Sequence, residues 1–457
     1  MESMSKVDPQ EPTQTHQRIR TSFGVAAVIV ILLVATAPSL LLQSDPPPVA
    51  VQGQTFVVPT SAVATVAQPP TDQEAVERQA ISVVLADRSS AVVGNQSQAF
   101  MDTVSQRDVA FTTAQLRLVT NLITVPFNQW DYTLLNKLGA SDSVAQRSRQ
   151  KFGPNAVTYQ VGVRYRLEGF DSPPVVVLRT MSFVPDGDTW KVVADTDTGR
   201  FRQPWDVDVI SLDRSNDVLM LVLGNAKPSS SLKEQAGQAV RDVTTFWGTD
   251  WDKRVLVVVP RSQKQLGTLL RKDGSNYVAL AAIATAERNG GSGDAPANVV
   301  WVNPAGFAKI NALGRTIVLR HEILHVATGA AVPNEFPLWL EEGVAEYFGY
   351  RDSGVKQQII ASSLLADARN GRVPSKFAKT ADFVPTNPRL SQAYEGSWWA
   401  ARLIVQNYGE AALIRVYRTA LAQSNKKTAV DVALRQELGI SEAELTSLWR
   451  ASIKDAA

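Results

Sequence analysis

Hydrophobic and polar positions along the chain change period several times, and each change marks a different kind of structure. From Phe23 to Leu42 the run FGVAAVIVILLVATAPSLLL holds twenty residues without a charge. At helical rise that covers roughly 30 Å, the thickness of a bilayer core, and predicts a transmembrane helix. Between Gln73 and about Leu138 the apolar residues recur at mixed three- and four-residue spacings, which predicts helices. The period then becomes two. Val157, Tyr159, Val161, Val163, Tyr165 and Leu167 alternate with Thr158, Gln160, Gly162, Arg164, Arg166 and Glu168, the pattern of a half-buried strand. A second strand is expected around Val175 to Val184. The turn Pro185-Asp186-Gly187-Asp188 then leads into a third, Trp190 to Ala194.

Three short apolar runs follow: Val218 to Leu223, Val255 to Val259 and Val299 to Val302. Each is bounded by turn residues and reads as a buried strand. The last of them, entered through Asn298, reads as either an edge strand or an interior one. From Arg315 onward the pattern is almost wholly helical. The fold class is therefore α+β. The expected order is a cytoplasmic tail (1–22), a membrane helix (23–42), a Pro-rich linker (43–71), a small α+β domain (72–215) and a second domain (216–457). In the second domain a sheet and a helical half are expected to face each other across a cleft.

Charge orients the membrane segment. Lys6, Arg18 and Arg20 precede it, and no Lys or Arg follows until Arg78, so the positive-inside rule puts the N-terminus in the cytoplasm and the rest outside. A cleaved signal peptide would have a shorter apolar stretch and a shorter leader than the 22 residues found here. The linker carries Pro46, Pro47, Pro48, Pro59, Pro69 and Pro70 and few large apolar groups, a composition suited to an extended tether. Over the 457 residues the net charge is only +2, which leaves no basic field for nucleic acid. Cysteine is absent, which excludes disulfides, thiolate metal sites and cysteine nucleophiles.

Of the three histidines, two fall in His321-Glu322-Ile323-Leu324-His325. Residues four apart on a helix share a face, so both imidazoles can reach one ion. Glu322, one position on, is placed to hold a water beside that ion rather than to ligate it. Zinc held by two histidines and a carboxylate keeps a position open for such a water, whose proton a nearby carboxylate can take. Downstream, Pro337-Leu-Trp-Leu-Glu-Glu-Gly-Val-Ala-Glu346-Tyr-Phe predicts a second helix that brings a carboxylate back toward the histidines. Glu341 and Glu342 are both available there, pointing about 100° apart. Glu346, one turn beyond Glu342, is placed either to accept a ligand histidine's second N–H or to face solvent.

HEILH followed by PLWLEEGVAEYF resembles the gluzincin zinc metallopeptidases, the group containing thermolysin and the aminopeptidase-N-type enzymes. The resemblance covers about Arg315 to Tyr350 and extends more loosely over the second domain. It implies Zn2+ as cofactor, His321, His325 and Glu342 as metal ligands, Glu322 as general base and a peptide or protein substrate. In the WLxEGxA element the glutamate before glycine is the third ligand, which favours Glu342 over Glu341. Tyr394, in Gln-Ala-Tyr-Glu-Gly-Ser, resembles an AY-x-x-S element of related peptidases and is the candidate oxyanion donor. The interval of sixteen residues between His325 and Glu342 is shorter than in aminopeptidase-N-type enzymes, and their GxMEN signature is absent, so specificity for free N-termini is not implied. Residues 72–215 resemble, in topology only, the cystatin-like or nuclear-transport-factor-like folds of membrane-tethered actinobacterial proteins. Such a domain serves as a spacer or docks a protein partner.

The expected function is a membrane-anchored, extracytoplasmic zinc peptidase. Two other readings stand beside it: a non-catalytic envelope scaffold with a vestigial metal site, and a zinc amidase acting on cell-wall crosslinks.

Overall fold

A computed structural model of the chain describes residues 72–171, 173–197, 202–271, 277, 280–285, 298–330, 336–384 and 387–457. The expected tail, membrane helix and linker lie outside these residues. Among the described residues no helix is long and apolar enough to cross a membrane.

The first region opens with helices α1 (Asp72–Val93), α2 (Ser97–Asp102) and α3 (Val109–Thr124). An antiparallel four-stranded meander follows: β1 (Phe127–Lys137), β2 (Val157–Leu167), β3 (Val175–Asp186) and β4 (Thr189–Asp197), with α4 (Ser143–Phe152) between the first two. The alternation along β2 is kept, with Tyr159, Val161, Val163 and Tyr165 fully buried. Its partner β1 corrects the helical expectation for residues up to Leu138. Trp130, Tyr132 and Leu134 alternate with Asp131 and Thr133 there, so the period is already two, and pairing with β2 overrides the spacing read before it.

The second region is built on a mixed five-stranded sheet in the order β5-β6-β7-β9-β8. Its strands are β5 (Ile210–Arg214), β6 (Val218–Leu223), β7 (Val255–Val259), β8 (Ala282–Thr285) and β9 (Val299–Val302). The central strands β6, β7 and β9 run parallel and are buried almost throughout, which is why they read as unbroken apolar runs. Two features of this sheet bear on what the sequence left open. The boundary expected at residues 215–216 falls inside the β5–β6 hairpin, so the second sheet begins at Ile210. Asn298–Val302 is not at the sheet edge: β9 is interior, and the edge is β8, paired antiparallel to it.

Short helices α5 (Pro204–Val207) and α7 (Gln263–Leu269) lead into β5 and follow β7, α8 (Pro304–Phe307) follows β9, and the longer α6 (Ser230–Trp247) packs on the sheet. Beyond β9 the described chain is helical: α9 (Ala312–Thr328), α10 (Leu338–Tyr350), α11 (Gln357–Ile360), α12 (Ser362–Arg369), α13 (Leu390–Tyr408), α14 (Glu410–Ala422), α15 (Ala429–Leu438) and α16 (Glu442–Ala456).

One apolar core runs through both regions, from Ala91 and Phe100 to Trp449 and Ile453. At their junction Phe127, Trp130 and Tyr165 of the first sheet close around Trp205 of α5, with ring centroids 5.0 to 6.0 Å from the Trp205 ring. Asn121 of α3 donates to the carbonyls of Trp205 and Asp208 at 2.9 and 2.7 Å and accepts from the Ile210 N–H at 3.0 Å, satisfying the backbone that leads into β5. A second clasp joins β2 to β9. Asn298 donates to the carbonyl of Phe170 and to Asp171, whose carboxylate also accepts from the Leu167 N–H at 2.8 Å.

Burial pushes the Asp171 carboxyl up to about 6, against the opposing pull of those hydrogen bonds. A folded value above the unfolded one favours folding at low pH, and that contribution is lost as pH rises through about 6. The rise corresponds to roughly 3 kcal/mol at neutral pH. The melting temperature of Asp171→Asn relative to wild type should therefore climb between pH 4 and pH 7.5. A pH-independent difference would show that Asp171 is not held this way.

Candidate metal centre

α9 begins where the Asn311 side chain accepts from the Gly314 N–H at 2.9 Å, and it ends at Gly329, whose φ of 75° is left-handed and suits glycine. Along it Ile317, Val318, Leu319, Ile323 and Leu324 are buried, so the helix is sunk in the core and His321, Glu322 and His325 are buried with it. Arg320 anchors the outer side, pairing with Asp242 of α6 at 2.6 Å and donating to the carbonyl of Arg351 just past α10 at 3.0 Å.

α10 starts after Pro337 and packs on α9 and α13. The approach to α13 is close: a Cβ on Gly343 would stand 2.5 Å from the Ser397 carbonyl oxygen. The glycine that follows Glu342 is thus a packing requirement that lets α10 lie deep enough to deliver its carboxylates.

The three expected ligands meet. One atom each from His321, His325 and Glu342 lies within 4.8 Å of the others, and all three residues are buried. The two Nε2 atoms are 2.9 Å apart, and Glu342 Oε2 is 3.3 Å from one and 3.6 Å from the other. Neither carboxylate approach has hydrogen-bond geometry, and Glu342 Oε2 is a buried acceptor without a partner. His321 Nδ1 lies 3.5 Å from Glu346 Oε1, which puts Glu346 behind the ring rather than in solvent. Glu322 is not one of this group. Its Oε2 accepts from the Ala284 N–H of β8 at 2.7 Å, and its Oε1 is buried and unpartnered.

Glu341 does not join the ligand group. Its carboxyl is buried near His325, with one oxygen unpartnered, and burial raises it to about 8 while His325 pulls it down and Glu342 pushes it up. Tyr394 is buried on α13, edge-on to Phe383 at 5.2 Å, and lines a small cavity with Glu346, Tyr350, Ser391, Glu395 and Trp398. Sequence reasoning missed two neighbours of the site. Tyr417 of α14 is a buried phenol pushed up by burial, by Glu341 and by Glu342. Ala284 contributes only its main-chain N–H, for which a sequence holds no signal.

The electrostatics are one-sided. Burial, and then the neighbouring His325, hold His321 well below the usual imidazole range, and burial lowers His325 to about 4. Both rings are therefore neutral near pH 7, the form that offers a lone pair to a metal. Burial raises Glu322, Glu342 and Glu346 well above the carboxylate range; neighbouring carboxylates add to this for Glu322 and Glu346. Among the described residues no basic side chain offsets any of the three. Neutral imidazoles, an unpartnered carboxylate oxygen and a surplus of buried acid fit a dication such as zinc, whose structural preference is for this donor set.

No protein-family model matches the chain, and no curated protein matches its sequence. Among solved structures it is similar to M1 zinc metallopeptidases. One is a two-domain M1 zinc metallopeptidase, a mutant bound to L-tryptophan, at 13% identity over 70% of this chain and 60% of that one, with a TM-score of 0.35. Another is the M1 zinc metallopeptidase from Deinococcus radiodurans, at 14% identity over 58% and 59% of the two chains, TM-score 0.33. A mutant from the same organism bound to Tyr-Ser-Ala aligns at 13% identity over 70% and 61%, TM-score 0.34. The chain spans about three fifths of the length of each. The overlays are loose, and the chemical weight rests on the side chains described above.

Zinc added to the metal-free protein should raise its melting temperature, because a ligand that binds only the folded state stabilises it by mass action. His325→Ala should abolish that rise. Gly343→Ala should cost about 1–3 kcal/mol of stability through overpacking. It should also weaken zinc uptake in a titration followed by metal analysis, since α10 carries Glu342.

Proposed function

We propose that this chain is a zinc-dependent peptidase that hydrolyses peptide bonds. The observation that carries the reading is the buried group of His321, His325 and Glu342, all within 4.8 Å, with the Glu322 carboxylate on the neighbouring turn position. Zinc, when bound, lowers the pKa of a coordinated water toward about 7 and polarises a carbonyl. The remaining work falls to the protein. His321, His325 and Glu342 hold the ion, and Glu346 orients the His321 ring from behind. Glu322 takes a proton from the attacking water and hands it to the departing amine nitrogen as the C–N bond breaks. Tyr394 is assigned the donor to the carbonyl oxygen as negative charge develops there, on its buried place on α13 against α10. Strand β8, the sheet edge beside α9, is the assigned seat for the substrate main chain, through its outward groups other than the Ala284 N–H, which Glu322 takes.

The reading extends to location. The uncharged Phe23–Leu42 segment, with Lys6, Arg18 and Arg20 before it and no Lys or Arg after it until Arg78, supports a single-pass anchor with the catalytic part outside the cytoplasm. The first region then acts as a rigid spacer between membrane and centre. A vestigial scaffold is disfavoured by the intact general base: nothing in metal binding requires Glu322. Peptide and cell-wall amide substrates present the same bond to the same groups, and a substrate panel separates them.

The soluble portion should contain about one zinc per chain. Glu322→Gln should keep the metal and lose turnover of a peptide library by about 10²- to 10⁴-fold. Tyr394→Phe should lower kcat with little change in KM. A wild-type protein that binds zinc and cleaves neither peptides nor cell-wall crosslinks would overturn the assignment.

A further inference from the structure

The edge strand β8 does more than border the cleft. Ala281 accepts from the Asn303 N–H at 2.8 Å, so in the antiparallel β8–β9 pair residues 281 and 283 face the ladder while 282 and 284 turn their main-chain groups outward. An outward N–H on an edge strand has no partner in its sheet. The Ala284 N–H finds one in Glu322 Oε2 at 2.7 Å, across a gap of 38 residues in sequence and in a fully buried setting. The second oxygen, Oε1, is left buried and unpartnered. A carboxylate with both oxygens free would rotate about its terminal torsion, which is broad and roughly two-fold. One with a single oxygen pinned presents the other in a fixed direction.

From this geometry we infer that the main-chain N–H of Ala284 is the positioning group of Glu322: it holds Oε2 so that Oε1 alone is presented as the proton acceptor. This rests on the peptidase reading for its catalytic meaning, and on the hydrogen bond itself for its physical content. The side chain at residue 284 is dispensable in this role, while the N–H is not. Proline is the substitution that removes the N–H, and it is tolerated on an edge strand where that group points away from the ladder.

Two measurements test the inference on the full chain. In the zinc-free protein, hydrogen exchange at the Ala284 amide should accelerate by about tenfold or more in Glu322→Ala, with the ladder-bonded Ile283 amide unchanged; a tenfold change corresponds to about 1.4 kcal/mol, typical of a single buried hydrogen bond. Equal rates at Ala284 in wild type and variant would overturn the inference. So would a common acceleration at Ala284 and Ile283, because the carboxylate would then be holding the strand together rather than being held by it. In the zinc-loaded protein, Ala284→Pro should lose kcat by about 10²-fold with KM and zinc content preserved, while Ala284→Gly, which keeps the N–H, should restore turnover. Preserved kcat in Ala284→Pro would also overturn it. Should that variant fail to fold, the exchange comparison decides alone, since it leaves the strand intact. If the wild type holds no zinc and cleaves nothing, the peptidase reading falls while the exchange result still stands for or against the Ala284 contact.

Discussion

Four carboxyl groups and two imidazoles lie buried against one another, and among the described residues no lysine or arginine offsets Glu322, Glu342 or Glu346. Acid in an apolar interior is strongly unfavourable unless something positive neutralises it or protons do. Everything around the centre is consistent with a divalent cation in that role. The two histidines are neutral and aim nitrogens at each other, and the Glu342 oxygen nearest them accepts no hydrogen bond. Such an arrangement is poorly suited to stabilising a protein for its own sake and well suited to gripping a metal.

Delivering these groups requires helices that approach unusually closely. α9 is buried on nearly every side and is locked at its outer edge by Arg320. α10 packs between α9 and α13 and can do so only because Gly343 leaves room for the α13 backbone. The sheet supplies the other wall. Its edge strand reaches the centre through a main-chain amide rather than a side chain, which joins the sheet half to the helical half at the atom where proton transfer is assigned. The first region is fastened to the same framework by Trp205, Asn121 and Asp171, and it shares one apolar core with the second.

Much of this was legible in the chain. The i, i+4 histidines, the acidic helix after Pro337 and the buried parallel strands each follow from a local period, and local periods survive folding when burial is uniform along the element. The misreadings have a common cause. β1 reads as helical in the chain because Phe127, Trp130 and Leu134 also fit a mixed three- and four-residue spacing, and only pairing with β2 selects the strand. β8, four residues long, is too short for any period to show.

What the sequence determined by itself is the chemistry available: two imidazoles on one helical face, a base beside them, and carboxylates on a following helix. The physical reason is that helical spacing alone fixes which side chains share a face. Tertiary structure decided which carboxylate completes the group, since Glu341 and Glu342 differ only in the direction α10 gives them. It also decided which strand is the edge and which oxygen of Glu322 is free. Those outcomes depend on backbone groups and on the packing of distant elements, of which Gly343 beside Glu342 is the one trace in residue identity.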